Sequence, residues 1–175
     1  MIELYAPMTQ DMINSLKVGQ SVMLSGDVYT ARDAAHARIA DMLQKGEPLP
    51  FELSGCGIYY AGPCPDMPGR IINSVGPTTS SRMNAYAPLL YDLGVQFVIG
   101  KGPVSGEVRN AIVRNGAVYF AAVGGAGALI ASCVTAVEDI AFPDLGPEAV
   151  RRITFSRVPL IVAIDRYGGC VYDNR

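Results

Sequence analysis

From residue 71 into the 130s, short apolar runs of strand length alternate with segments of helical period, and glycine or proline separates most of them. That alternation restricts the chain to a sheet with helices packed on it, because each strand and each helix must bury one apolar face against the other. The runs are 70–75, 96–99 and 117–122, and the helices 83–93, 106–115 and 126–132. In the second helix Val108, Ile112 and Val113 are expected to point inward. Before residue 71, Thr9 caps a short helix over 9–16, Gly19 ends it, and 21–29 reads as a strand. Thr30 then opens a helix to Lys45, with Asp33 three residues on as in a capping box. Ala35, Ile39, Met42 and Leu43 form its buried stripe, and Gly46 and Pro48 stop it. A strand over 57–61 precedes a proline-rich loop, 62–69. Strands over 153–155, 160–165 and 170–172 finish the chain. The expected fold is α/β, a mixed sheet with packed helices, in a single domain over 1–175 with no repeat or linker.

Composition narrows the function classes. Half of the 175 residues are hydrophobic and only 17% are charged, so disorder is excluded. The net charge is −2 and no basic stripe is visible, which argues against nucleic acid. A low charged fraction with mean hydropathy +0.24 fits a subunit that hides part of its surface. Residues 116–137 are uncharged over the length of a membrane span, but Gly124, Gly125 and Gly127 interrupt them. A strand, a turn and a small-residue helix account for the stretch, so no membrane partner is expected. The N-terminus lacks a basic segment followed by an apolar one, and a cytoplasmic location is expected. Cys56, Cys64, Cys133 and Cys170 form no C-x-x-C pair and no zinc-like spacing, so no metal ligand is assigned here.

Three segments point to chemistry. Residues 76–82 run from a strand toward a helix, a layout that offers free N–H groups and a favourable dipole to an anion. Thr78 and Thr79 add hydroxyls, and Arg82 can hold a carboxylate in two parallel bonds. An ordinary helix cap with a surface arginine fits the same spacing. Lys101 sits between Gly100 and Gly102 at a strand end, where it can meet an anion as a point charge or be solvated surface. Residues 100–102 fail the phosphate-loop pattern and 124–127 fail the dinucleotide fingerprint. Arg32 stands in the first turn of its helix, against the dipole, which a bound anion would explain. His36 lies one turn further on the same face, where a partly exposed helix residue paired with Asp33 or Asp41 is the plainer reading. Glu138, Asp139, Asp144 and Glu148 read as a solvated acidic face.

Taken in order, residues 28–36 (VYTARDAAH), 59–63 (YYAGP), 76–83 (GPTTSSRM) and 100–102 (GKG) resemble one family. They are similar to the C-terminal domain of class I, iron–sulfur fumarate hydratases and to the β subunit of L-tartrate dehydratase. The resemblance runs from Lys17 to Tyr172, and residues 76–83 are its most specific part. It implies a swivelling β/β/α domain and a 4Fe–4S cluster held by a partner α subunit, in an α2β2-like hetero-oligomer. It implies that Arg32, Arg82 and Lys101 hold substrate carboxylates, with His36 and Thr79 in support. Thr78 matches the position proposed as catalytic base, a demanding role for an unactivated hydroxyl. The iron would act as Lewis acid on the leaving hydroxyl. Asn84 replaces a frequent acidic residue, Ser81 a glycine, and Pro103-Val104 an Asn-Arg pair. The implied activity is reversible hydration of fumarate to malate. L-tartrate dehydration, or that of another hydroxy-dicarboxylate, is the alternative, and a non-catalytic anion-binding module is the reading from another class.

Overall fold

Three short strands occupy the middle of the molecule because their residues are apolar in both directions. β3 (Gly57–Tyr59), β4 (Phe97–Gly100) and β5 (Val118–Ala121) are buried at every position except Ala121. They pair in parallel, as strands covered on both faces do. Alternate side chains feed two separate cores. Tyr59, Phe97, Ile99, Val118 and Phe120 point to one side, while Ile58, Val98 and Tyr119 point to the other. The second core is covered by α2 (Asp33–Gln44), α3 (Ala87–Asp92) and α4 (Gly106–Arg114), through residues such as Ile39, Leu90 and Ile112.

The computed structural model describes residues 1–64, 68–69, 71–123 and 125–173. Its remaining elements are β1 (Ile2–Ala6), α1 (Gln10–Ser15), β2 (Ser21–Thr30), α5 (Gly127–Ser132), β6 (Val134–Ala141) and β7 (Val150–Ile164), with 3-10 turns at Ser80–Met83 and Pro143–Glu148. The seven strands form one mixed sheet in the order β1-β2-β3-β4-β5-β7-β6, and β2 also pairs with β7. That extra pairing closes β2, β3, β4, β5 and β7 into a ring around the first core, so the sheet is barrel-like. The mixed sheet and packed helices match the expectation from sequence.

Several local expectations are corrected. The helix expected from Thr30 begins at Asp33 with Arg32 as its N-cap. Thr30 instead ends β2, buried, and its hydroxyl accepts the Arg151 N–H at 3.2 Å. Of the expected run 70–75, residue 70 lies outside the described residues and 71–75 form no strand. The helix expected over 83–93 is broken into the 3-10 turn and α3. Val113 is exposed, and Ala111 takes the inward place. The strands expected at 153–155 and 160–165 are parts of the one strand β7, and 170–172 contribute a single bridge, Ile164 to Cys170. β1 and β6 were not expected. The acidic face is a row of ion pairs: Glu138 with Arg152, Asp139 with Arg151, Asp144 with Arg38 and Glu148 with Arg32. No helix is long and apolar enough to cross a membrane, among the described residues. Met1, Val123, Leu129 and Ile161 are exposed and line an apolar groove of about 210 Å³.

Candidate functional site

Because β2, β3 and β4 run parallel, their carboxyl ends lie at one edge of the sheet, the usual place for ligands in such sheets. Arg32 follows the end of β2, residues 60–62 the end of β3, and Lys101 the end of β4. Residues 77–82 are laid across this edge by main-chain bonds. Ala61 bridges to Pro77, Thr78 N–H donates to the Tyr60 carbonyl at 2.6 Å, and Thr79 bridges to Lys101. Ser80 N–H donates to the Lys101 carbonyl at 2.9 Å, and Lys101 N–H donates to Ser80 Oγ at 2.9 Å. Three segments far apart in sequence thus share one short ladder.

A buried relay fixes that ladder. Tyr119 Oη donates to the Gly102 carbonyl at 2.8 Å, and a phenol has only one proton to give. Ser80 Oγ, 2.9 Å from Tyr119 Oη, must therefore be the donor to it. Lys101 N–H, Ser80, Tyr119 and the Gly102 carbonyl form one directed chain, buried at its Ser80–Tyr119 centre. Gly100 is required beneath it, since a Cβ there would overlap Ser80 Oγ and crowd the Tyr119 ring.

The arginines gather at the other end of the segment. Arg82 Nε donates to Asp33 Oδ1 at 2.8 Å, and its two terminal nitrogens form no bond among the described residues. Arg32 Nε lies 3.9 Å from Asp33 Oδ2 and 3.7 Å from Glu148 Oε1 without a hydrogen bond. Arg32 Nε and Asp33 Oδ2 are both buried polar atoms with no partner. An arginine at an N-cap leaves a helix uncapped, a loss of about 1 kcal/mol relative to Ser or Asp. Glu148 supplies the missing acceptor from the Pro143–Glu148 turn, taking the Ala34 N–H at 3.3 Å. Gly62 leaves room for Arg32: a Cβ there would stand 2.9 Å from Arg32 Cδ.

His36 is fully buried rather than partly exposed. Its Nδ1 lies 2.8 Å from the Arg32 carbonyl, an atom that can only accept, so Nδ1 carries the proton. Nε2 then has a bare lone pair and no partner, beside the Tyr60 and Tyr86 rings. Burial pushes the His36 pKa down to about 4, so the ring is neutral at pH 7. It steadies the Arg32 main chain and makes no contact with solvent.

Arg32, Arg82, Lys101 and Thr79 are thus drawn into one neighbourhood with Thr78. Thr78 is half-buried, Thr79 is exposed, and no hydrogen bond reaches the Thr78 hydroxyl among the described residues. The expected anion site at a helix N-terminus is corrected, because residues 76–82 enter a 3-10 turn of four residues, whose N-cap Thr79 makes no side-chain cap. The groups at this edge that could meet an anion are therefore the cationic side chains and not a helix dipole. Asn84 Oδ1 accepts the Ser105 N–H that opens α4, a bond a carboxylate at this position could equally accept. Asp33, Gly62, Ser80, Tyr119 and Glu148 belong to this neighbourhood and were not singled out as site residues from sequence. Among them, the adjacency of Arg32 and Asp33 was the one signal available.

The described residues do not fit an iron–sulfur cluster. Among the described residues no group of three or more His, Cys, Asp or Glu could hold a metal ion. Cys64 is exposed, the other three cysteines are half-buried, and burial pushes the Cys56 thiol up to about 12, far from the thiolate that metals require.

Comparison with known proteins gives a consistent result. The family described as Fumarase C-terminus matches residues 1–175. A protein of Methanocaldococcus jannaschii provisionally named L(+)-tartrate dehydratase subunit beta is 41% identical over 95% of this chain and 88% of its own length. Fumarate hydratase 2 of Leishmania major is 38% identical over 91% of this chain, and the anaerobic class I fumarate hydratase of Escherichia coli K12 is 32% identical over 95%. The chain spans only 28% and 31% of those two proteins.

Proposed function

The chain belongs to the fumarase C-terminus family, and on that premise we propose that it is the β subunit of a two-part hydro-lyase acting on a small dicarboxylate. The carrying observation is the cation set: Arg32 and Arg82 meet at one end of the 78–82 segment, and Lys101 lies beside Thr79 at the other. A ligand with an anionic group at each end suits that arrangement, and the unpaired guanidinium nitrogens are available to carboxylate oxygens. Taking a proton from the carbon beside a carboxylate builds charge on that carboxylate, and cations already in place stabilise it. Residues 1–175 act as one domain in this reading.

The reaction we assign is reversible hydration of fumarate to malate. Arg32, Arg82 and Lys101 bind the substrate, His36 and Thr79 support them, and Thr78 is placed as the proton-transferring hydroxyl. No side-chain hydrogen bond reaches the Thr78 hydroxyl among the described residues, and we assign its activating group to the partner subunit. The four cysteines form no C-x-x-C pair, and the 4Fe–4S cluster implied by the sequence resemblance is assigned to a partner α subunit, in an α2β2-like assembly in the cytoplasm. The name of the M. jannaschii relative, a subunit beta, supports a two-chain enzyme. Dehydration of L-tartrate is the second reading, favoured by that relative's identity and by its similar length.

The test is co-expression with the α partner, anaerobic cluster reconstitution, and assay on malate, fumarate and L-tartrate. Turnover of fumarate and malate supports the first reading, and turnover of tartrate alone selects the second. No activity on any dicarboxylate would remove the enzyme reading.

A further inference from the structure

We infer that Asp33, with Glu148 behind it, is a positioning residue that braces the two arginines of the site. The inference rests on the reading of this edge as a dicarboxylate site. Two guanidinium groups repel each other when brought close, and a shared counter-charge offsets that repulsion. Asp33 is that charge. Its Oδ1 takes the Arg82 Nε–H at 2.8 Å, while its Oδ2 faces Arg32 Nε at 3.9 Å. The arginines arrive from different elements, one at the start of α2 and the other from the 3-10 turn, 49 residues apart from Asp33 in sequence. Among the described residues no other hydrogen bond or ion pair ties the Arg82 side chain to α2.

Glu148 completes the brace from a third direction. It lies 3.7 Å from Arg32 Nε and also accepts the Ala34 N–H, so it anchors the guanidinium and caps α2 together. A remote cap frees the N-cap position for an arginine. The bonds are deliberately few. Each carboxylate engages an Nε edge, and neither occupies the terminal nitrogens that a substrate carboxylate would grip in parallel. Two orphaned atoms, Arg32 Nε and Asp33 Oδ2, sit at the centre of the brace. Buried polar atoms are rarely left so, and the pair marks a joint held by charge at 3.9 Å without a closed hydrogen bond.

Charge and geometry predict opposite signs for the deciding variant. If Asp33 were merely a nearby negative charge, Asp33→Ala would tighten binding of a dianion. As a positioning residue, its loss frees both arginines and weakens binding. The experiment titrates the purified full chain with fumarate and L-tartrate, for wild type, Asp33→Ala and Asp33→Glu. Hydrogen exchange of the arginine Nε–H groups is followed by NMR in the same samples. The expected result is a loss of tenfold or more in affinity for Asp33→Ala with partial recovery in Asp33→Glu, and faster exchange of the Arg82 Nε–H. Equal or tighter binding by folded Asp33→Ala overturns the brace. If the wild-type chain binds neither dianion, the dicarboxylate reading fails on its own. The exchange data still decide the brace, since unchanged Arg82 Nε–H protection in Asp33→Ala overturns it without any ligand.

Discussion

Arg114 and Arg82 are alike in exposure, with 48% and 51% of the side chain open to solvent, and each pairs with one aspartate. They are finished differently. Arg114 gives Nε and Nη2 to the two oxygens of Asp92 at 2.8 and 2.7 Å, and Asn115 adds a bond to the same carboxylate. Arg38 with Asp144 and Arg109 with Asp173 are closed in the same two-pronged way. Arg82 spends only Nε, and Arg32 forms no hydrogen bond from Nε at all. The closed pairs tie surface segments together, each carboxylate taken up by two parallel bonds. The open pair is held in place yet keeps its terminal nitrogens free. In the proposed reading, that unused capacity at the edge where β2 and β4 end is what suits Arg32 and Arg82 to a carboxylate.

The sharpest way to break that comparison is Arg82→Ala in the assembled enzyme. Removing one donor aimed at developing charge costs about 10²- to 10³-fold in turnover, with assembly retained. Steady-state kinetics on the malate–fumarate pair measure it, and unchanged kinetics would take Arg82 out of the site. The next effect concerns the support beneath Arg32. His36 titrates at about 4 in the folded chain against 6.5 for the free side chain, so the unfolded state binds its proton first as pH falls. Stability from this residue is complete above pH 6.5 and drains away down to pH 4, by about 3 kcal/mol in all. Urea denaturation at a series of pH values should show the slope, and His36→Gln should remove it. If the slope persists unchanged in the variant, another group is titrating.

Gly62→Ala is expected to act more modestly. The added methyl would sit 2.9 Å from Arg32 Cδ and 2.9 Å from the Pro147 carbonyl, pushing on both the arginine and the turn that carries Glu148. A loss of stability of about 1–3 kcal/mol follows from overpacking of this kind, with dicarboxylate affinity falling alongside. Calorimetric melting and titration of the same sample check both halves. The smallest effect belongs to the closed class. Arg114→Ala should leave the melting temperature nearly unchanged in calorimetry and leave turnover alone. A catalytic defect from Arg114→Ala would undo the distinction between open and closed arginines.

Legibility from sequence followed burial. The strands β3, β4 and β5 were readable because apolar residues on both faces give an unbroken run. β6 was missed because its exposed face carries Thr135, Glu138 and Asp139, so the segment reads as a polar surface. β7 was split because Ser156 and Arg157 interrupt its apolar pattern. Arg157 takes a positive φ of 56° in that stretch, opposite the register shift between Leu24 and Gly26, and pairing with β2 carries the strand through. Thr30 was read as a cap from its residue type, but β2 extends far enough to bury it, and the cap falls on Arg32.

The sequence by itself determined the α/β class, the apolar stripes and the residue types that can meet an anion. Periodicity and motif order are local properties, written into neighbouring residues. It also brought Arg32, Thr78, Arg82 and Lys101 onto one list through their ordered motifs. How they are held follows from contacts between distant segments. Asp33 meets Arg82 across 49 residues, Glu148 caps Ala34 across 114, and Ser80 meets Tyr119 across 39. Such partners are chosen when the parallel strands bring their carboxyl ends to one edge, and no spacing along the chain records which polar group will face which.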